Sequence, residues 1–345
     1  MSDDLRKINY EELKAKAIAQ PLVEHIYTAD PSAHVFNGKI YIYPSHDIDA
    51  GEAFDDLGSH FDMQDYHVIS MDDINSEAVD NGLALHVDDV PWAKKQMWAP
   101  DAHEKDGTYY FFFPAKAFDG VFRIGVATSS SPTGPFTAQP EAIKDSFSID
   151  PAVFKDDDGS YYMYFGGLWG GQLQRWRTGV FNGNQPESPT AFIPEDDEAA
   201  LLPLVAKMSD DLLAFAEEPK GIEILDEKGE LLLAGDNERR FFEASWMHKY
   251  NGKYYFSYST GDTHLLCYAT GDSPYGPFIY QGVIMTPVEG WTTHHSIVEF
   301  KGSWYLFYHD CILSEGVTHL RTIKSTELKH NEDGSIQTIN PYKNL

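Results

Sequence analysis

The segment DPSAHVFNGKIYIY at residues 30–43 decides the fold, because four later segments repeat its shape. They are PDAHEKDGTYYFFF at 100–113, DPAVFKDDDGSYYMYF at 150–165, EASWMHKYNGKYYFSY at 243–258 and HHSIVEFKGSWYLFY at 294–308. In every copy a turn glycine is followed three residues later by tyrosine: Gly38 and Tyr41, Gly107 and Tyr110, Gly159 and Tyr162, Gly252 and Tyr255, Gly302 and Tyr305. A short apolar run precedes the glycine and an aromatic run follows it. That is the pattern of two antiparallel strands joined by a tight turn whose glycine needs a positive φ. A second repeat, ATSSSPTGPF from Ala127 and ATGDSPYGPF from Ala269, follows its hairpin at a similar distance, and its Pro and Gly mark the turn to an outer strand. Five antiparallel units, with no helical crossovers between most of them, predict an all-β, five-bladed β-propeller.

Outside the repeats, residues 1–20 read as a short N-terminal helix, and 196–218 mixes apolar pairs with acids at helical spacing. Both are expected as additions to one domain covering residues 1–345, with the stretch from about 180 to 240 as an insertion between blades three and four. The chain carries 26 basic against 54 acidic side chains, a formal net charge of -28, which disfavours nucleic-acid binding because phosphates need clustered Lys and Arg. With 42% hydrophobic and 14% aromatic residues it can bury a large core. The first twenty residues are charged throughout, so neither a signal peptide nor a membrane anchor is expected. Cys267 and Cys311 form no disulfide framework, and a reducing compartment, the cytoplasm, is the expected location.

In a propeller the first strand of each blade lines the central channel. The residues opening those strands are Asp30, Asp101, Asp150, Glu243 and His294, each eight or nine positions before its turn glycine except Asp101 at six. A lone Asp before Pro is ordinarily a turn or cap residue. Recurrence of acids and a histidine at equivalent positions instead predicts one polar cavity, with Asp101 and His103 at the same end as supporting residues or part of its floor.

The ordered set TADPSAHVFNGKIYIY, MWAPDAHEKDGTYYFFFPA, SIDPAVFKDDDGSYYMYFGG, EASWMHKYNGKYYFSYSTG and HHSIVEFKGSWYLFYHD resembles glycoside hydrolase family 43, five-bladed propeller enzymes acting on xylo- and arabino-oligosaccharides. The resemblance covers roughly residues 20–340. It implies that Asp30 is the general base, that Glu243 is the general acid, and that Asp150 orients the acid and tunes its pKa. It also implies that His294, matched by its spacing to Ser296, lies beside a bound divalent cation, expected to be Ca²⁺, or a water cluster, and that Arg321 contacts sugar hydroxyls. The chemistry asks for these types independently. Inverting hydrolysis needs a protonated carboxyl on the glycosidic oxygen and an ionised one activating water, roughly 6.5 to 9.5 Å apart. A third carboxylate crowding the acid raises its pKa. Sugar rings stack on aromatics, and Phe36, Trp98, Trp169 and Trp291 lie near blade starts, so they are the candidate platforms.

The expected activity is an inverting exo-β-xylosidase releasing xylose from the non-reducing end of short xylo-oligosaccharides. The alternative is α-L-arabinofuranosidase activity, alone or beside the first, since the two sugars share much of their hydroxyl pattern. An endo-arabinanase needs an open cleft, and a non-catalytic sugar-binding propeller would be expected to lose one of the three acids. The partner expected is thus a xylo- or arabino-oligosaccharide, with neither nucleic acid nor membrane; a homo-oligomer stays open.

Overall fold

Four of the five repeat hairpins close through two-residue turns, Asn37–Gly38, Asp106–Gly107, Asn251–Gly252 and Lys301–Gly302, in which both residues have φ between 49° and 82°. This is the type I′ geometry, whose twist matches that of the strands it joins. It explains why the repeat glycine is obligatory. The computed structural model, describing residues 8–183, 188–291 and 293–343, arranges these hairpins into five antiparallel sheets around one channel.

Blade one is formed by Tyr27–Phe36, Lys39–Asp47, Asp65–Met71 and Val79–His86. Blade two is built on Asp101–Lys105, Thr108–Ala117, Phe122–Ser129 and Thr137–Ala138, with Ala93–Lys95 added against Thr108–Ala117. Blade three comprises Ala152–Lys155, Tyr161–Phe165, Leu204–Lys207 and Lys220–Gly221. Blade four comprises Glu243–Tyr250, Lys253–Ser259, Leu266–Gly271 and Phe278–Met285, with Ile224–Leu225 added in parallel at its outer edge. His295–Phe300, Ser303–Asp310 and Thr322–Leu328 make blade five. Phe- and Tyr-rich faces pack between sheets, with Tyr43, Tyr66, Tyr164, Phe111, Phe113 and Phe165 fully buried.

The N-terminal helix is Tyr10–Lys16, capped by the Asn9 side chain accepting from the Glu12 amide. It buries none of its own residues, so the tertiary structure holds it from the ends: the Tyr10 hydroxyl donates to Glu289 at 3.3 Å, Ala17 bridges to Tyr342, and the Lys343 amide donates to the Lys16 carbonyl. The segment after it closes the ring, the Leu22 and Thr28 amides donating to the carbonyls of Ile323 and Arg321 in blade five.

Two expectations are corrected. Residues 196–218 form no helix; they include Leu204–Lys207, the third strand of blade three. The stretch from 180 to 240 is likewise not simply an insertion, because it carries the two outer strands of blade three and the extra edge strand of blade four. Its long approach from Phe165 to Leu204 broke the even hairpin spacing, and pairing with Tyr162–Phe165 overrode the local helical periodicity.

Around the channel each seam between blades is stitched by a hydrogen bond from an inner strand. Asp101, wholly buried on blade two, accepts from the Ser32 hydroxyl and the His34 ring of blade one and from the Val153 amide of blade three, besides the Ala102 amide at 2.7 Å. Asp150 accepts from the Ala244 amide (2.8 Å), Trp246 donates to the Ile297 carbonyl (3.1 Å), and the Ala33 amide donates to the Ser296 hydroxyl (3.0 Å). Asp101→Ala is therefore expected to strand several buried donors at once and to lower unfolding free energy by about 3 kcal/mol or more, read from urea unfolding. A change below about 0.5 kcal/mol would mean that the donors find other partners.

Candidate active site

Local backbone breaks aim the acids. The pairing register of blade one slips between Ala29 and Ser32, and Asp30 sits in the left-handed region at φ 50°. Blade four slips between Glu243 and Trp246, with Ala244 at φ 64°, and Asp150 has φ 57° just before its strand begins. Such bulges turn a side chain out of the regular alternation, and positive φ in non-glycine residues marks strain kept for a purpose. Here it directs three carboxylates toward one pocket.

The pocket is a cavity of about 240 Å³ at one end of the channel. Asp30, Asp150, Glu243, His294 and Arg321 lie at its polar end, and Phe54, Phe61, Trp98, Trp169, Phe242 and Trp291 supply aromatic surface. Trp169 and Trp291 stack on each other at 5.3 Å between ring centres. Behind the acid, Gly167 has no room for a side chain: a Cβ there would come within 2.6 Å of Ile149 and 3.3 Å of the Glu243 Cβ. The blade-three backbone reaches Glu243 only because the residue is glycine.

The carboxylates sit in opposed electrostatic settings. Arg321 donates from Nη1 to Asp30 Oδ1 (3.0 Å) and grips Asp47 through Nε and Nη2, both at 2.8 Å. Ser45 donates its hydroxyl to Asp30 Oδ2 at 2.5 Å, and the Asp30 amide donates to His309 Nδ1. Burial alone would push the Asp30 carboxyl up. The Arg321 guanidinium, the His309 and His294 rings and the Ser45 hydroxyl outweigh it and hold it down at about 2, so Asp30 is ionised at neutral pH. Glu243 is pushed well above the ordinary carboxylate range by burial and by the negative charge of Asp30, against a smaller opposing pull from Arg321. Asp150 is raised by burial and by the charges of Glu243 and Asp30, with the Ala244 amide opposing. Burial lowers His294 to about 4, leaving its ring neutral, and its Nδ1 lies 3.8 Å from both Asp30 Oδ1 and Asp150 Oδ2. One ionised carboxylate therefore faces a pair that retains a proton.

The sequence pattern of glycosyl hydrolases family 43 matches residues 28–181. The chain is 61% identical to a xylosidase/arabinosidase of Bacteroides ovatus over 92% of its own length and 96% of that protein's. It is also 61% identical to xylosidase/arabinosidase 43A of Humicola insolens, covering 93% of this chain and 99% of that one. The chain belongs to glycoside hydrolase family 43. Among solved structures, a family 43 β-xylosidase/α-arabinofuranosidase from a compost microbial metagenome, in complex with xylotriose and in a calcium-free form, superimposes with a TM-score of 0.92 at 64% identity, covering 95% of this chain and 98% of that one.

In this family 43 hydrolase the structure brings Asp30, Asp150, Glu243, His294, Arg321, Trp98, Trp169 and Trp291 together around the pocket. Phe36 and His103 are not among its lining residues. Phe36 ends the inner strand Tyr27–Phe36 in which Asp30 is the fourth residue, and six residues at about 3.3 Å each place it up to roughly 20 Å away. There it stacks on His34 and meets Tyr109, and His103 packs beside both His34 and Phe36. Asp101 belongs to the buried stitching of the blades rather than to the pocket wall. Arg321 was expected to contact sugar hydroxyls; most of its donors are spent on Asp30 and Asp47.

Sequence reasoning missed Phe54, Asp55, His60 and Phe61, all from the connection 48–64 between the second and third strands of blade one. Its length was the available signal, since a propeller hairpin rarely needs so many residues unless they build something. Asp47 was missed as well, because nothing in its local sequence reveals an arginine 274 residues away.

Glu243 imposes a measurable cost on the fold. A carboxyl whose folded pKa is raised binds its proton more tightly folded than unfolded. Stability is therefore lost as pH rises from about 4.3, the unfolded value, through the raised folded one. Gln cannot ionise and escapes this loss. Glu243→Gln is expected to melt higher than the parent at pH 7 by a few degrees, the gap closing toward pH 4, as read from thermal melts across pH. A gap independent of pH would show that Glu243 does not titrate in this window.

Proposed function

We propose that the chain is an inverting exo-β-xylosidase that cleaves xylose from the non-reducing end of short xylo-oligosaccharides, with Asp30 as base and Glu243 as acid. The observation that carries the reading is the split in protonation: Asp30 held ionised by Arg321 and Ser45, Glu243 held protonated by burial and by the charge of Asp30. In the proposed step a water oxygen attacks the anomeric carbon while Asp30 takes the water's proton. The bond from that carbon to the glycosidic oxygen breaks, and the Glu243 proton passes to the departing oxygen. Asp150 acts through the backbone, accepting from the Ala244 amide next to Glu243 and so fixing where the acid stands.

The substrate class is supported by the relatives, which are named for xylosidase and arabinosidase activity and include a structure with xylotriose bound. The exo mode is supported by the size and walls of the cavity, small and lined on several sides by aromatic rings, which suits a chain end better than a polymer laid across a groove. The double names of the relatives favour a second reading, α-L-arabinofuranosidase activity in the same pocket. A cytoplasmic location remains part of the proposal, since short oligosaccharides are what an enzyme there would meet.

The initial anomer of the product, followed by NMR, is expected to be inverted; a retained anomer would require a nucleophile and overturn the mechanism. Glu243→Gln is expected to cost at least about 10³-fold on natural xylosides and far less on aryl xylosides with a good leaving group, which need little protonation. Asp30→Asn is expected to depress both alike. Comparable losses on both kinds of xyloside in Glu243→Gln would remove it from the acid role, and p-nitrophenol release from p-nitrophenyl β-xyloside and p-nitrophenyl α-L-arabinofuranoside would rank xylose against arabinose.

A divalent cation, Ca²⁺, beside His294 is also part of the proposal. The neutral ring can offer a lone pair, Asp30 and Asp150 are close, and one relative was described in a calcium-free form, which implies another state. A hard cation held by one imidazole and waters would be weakly bound. When bound it would supply positive charge that shifts the nearby carboxyls. EDTA is expected to lower activity and melting temperature and Ca²⁺ to restore both, with His294→Ala blunting the response. Full activity and stability in chelated enzyme, checked by metal analysis, would refute it.

A further inference from the structure

Away from the pocket, blade one gathers a second group of ligating side chains. His46, on Lys39–Asp47, and Asp65 and His67, on Asp65–Met71, each present one ligating atom such that all three lie within 4.8 Å of one another. All three are half-buried, which leaves a route for an ion from solvent. The rings of His46 and His67 are 4.7 Å apart, and His46 Nδ1 lies 2.5 Å from Asp65 Oδ1. Pairing between these two strands runs to Ile42 and Ile69 and stops short of Pro44, whose missing N–H cannot continue the ladder. The strand ends are thus free to hold side chains around a point between them.

The surroundings have the order expected of a metal site. His67 Nδ1 is taken by Asp80, at 2.9 and 3.1 Å from its two carboxylate oxygens, on the fourth strand, Val79–His86. A carboxylate on one ring nitrogen fixes the tautomer and raises the basicity of the other, the usual support for a metal-bound histidine. Asp80 is in turn held by His25 at 2.9 Å. Two imidazoles and one carboxylate suit Zn²⁺, Ni²⁺ or Co²⁺ and not Ca²⁺, which prefers oxygen ligands.

We infer that His46, Asp65 and His67 form a binding site for a divalent transition metal, with Asp80 orienting His67. The ion would bridge the second and third strands of blade one, water completing its coordination. It is separate in ligands and in metal preference from the cation proposed at His294. Binding displaces the proton shared by His46 and Asp65 and links the metal to folded-state stability.

The test uses the full chain freed of metal by dialysis against EDTA, then titrated with Zn²⁺ against a chromophoric chelator. One equivalent is expected to bind with Kd below about 10 µM and to raise the melting temperature with concentration. His46→Gln and His67→Gln are expected to lose at least tenfold in affinity and Asp80→Asn about tenfold, whereas His294→Gln retains binding and excess Ca²⁺ does not compete. X-ray absorption of the zinc-loaded parent should show histidine nitrogens at about 2.0–2.1 Å, a readout that stands even where a variant fails to fold. The inference is overturned if the parent binds no Zn²⁺ below 100 µM, if folded His46 and His67 variants titrate like the parent, or if absorption shows an ion with no histidine ligand.

Discussion

Everything at the pocket depends on one buried guanidinium. Arg321 reaches from blade five to Asp47 with two donors and a backbone amide, and to Asp30 with a third donor, all within a region where two further carboxyls, Asp150 and Glu243, and a neutral histidine converge. Without that cation the crowd of acids could not be buried, since a carboxylate with no partner would take up a proton rather than remain charged. With it, the charge is unequally shared. Asp30, within reach of the guanidinium and of the Ser45 hydroxyl, stays ionised, and Glu243, left to burial and to repulsion from its neighbour, keeps a proton. The separation of an ionised carboxyl from a protonated one is thus a matter of where Arg321 reaches.

The same inner strands that expose the acids also hold the ring together. Asp150 fastens blade three to blade four through the Ala244 amide, Asp30 fastens blade one to His309 of blade five, and Asp101 ties the first three blades beneath the pocket. A propeller needs such bonds because neighbouring sheets meet by side-chain packing and not by strand ladders. Placing reactive acids on the seams makes their positions as rigid as the ring. The price is that Asp30, Asp150 and Ala244 occupy left-handed conformations and that Glu243, half-buried at the pocket, is desolvated without a cation bonded to it. Burial elsewhere has to offset this, and the aromatic faces between the blades, with Tyr43, Tyr66, Phe111 and Phe165 fully covered, supply it.

Blade one contributes unevenly for the same reason. Its inner strand holds Asp30, its second strand holds Ser45 and Asp47 behind it, and the connection 48–64 folds over to add Phe54, His60 and Phe61 to the wall. His46 lies between Ser45 and Asp47 but points its ring to Asp65 and His67, so one strand serves the pocket on alternate residues and the histidine cluster on the residue between. A perturbation at that cluster would reach Asp47 through a single peptide link.

The sequence by itself determined the repeat and, through it, the propeller, because the turn glycine with its following tyrosine is a local requirement that five hairpins meet separately. It also pointed to Asp30, Asp150, Glu243 and His294, since equivalent places in a repeat lie around one axis, although the fifth such place, Asp101, went to the stitching of the blades and not to the pocket wall. Only the tertiary structure decided the rest. The outer strands of blade three escaped notice because pairing with a distant strand, not local periodicity, makes 204–207 extended. Phe36 looked like a sugar platform by its nearness in sequence to Asp30, yet an extended strand carries it to the far end of the channel. The opposite protonation of Asp30 and Glu243 could not be read from two acids at matching positions; it arises from contacts across the ring, with Arg321 bonded to one carboxyl and its weaker pull outweighed by burial and negative charge at the other. Periodicity is written residue by residue along the chain, whereas the electrostatic setting of a buried group is made by partners that the chain brings near only once it has closed.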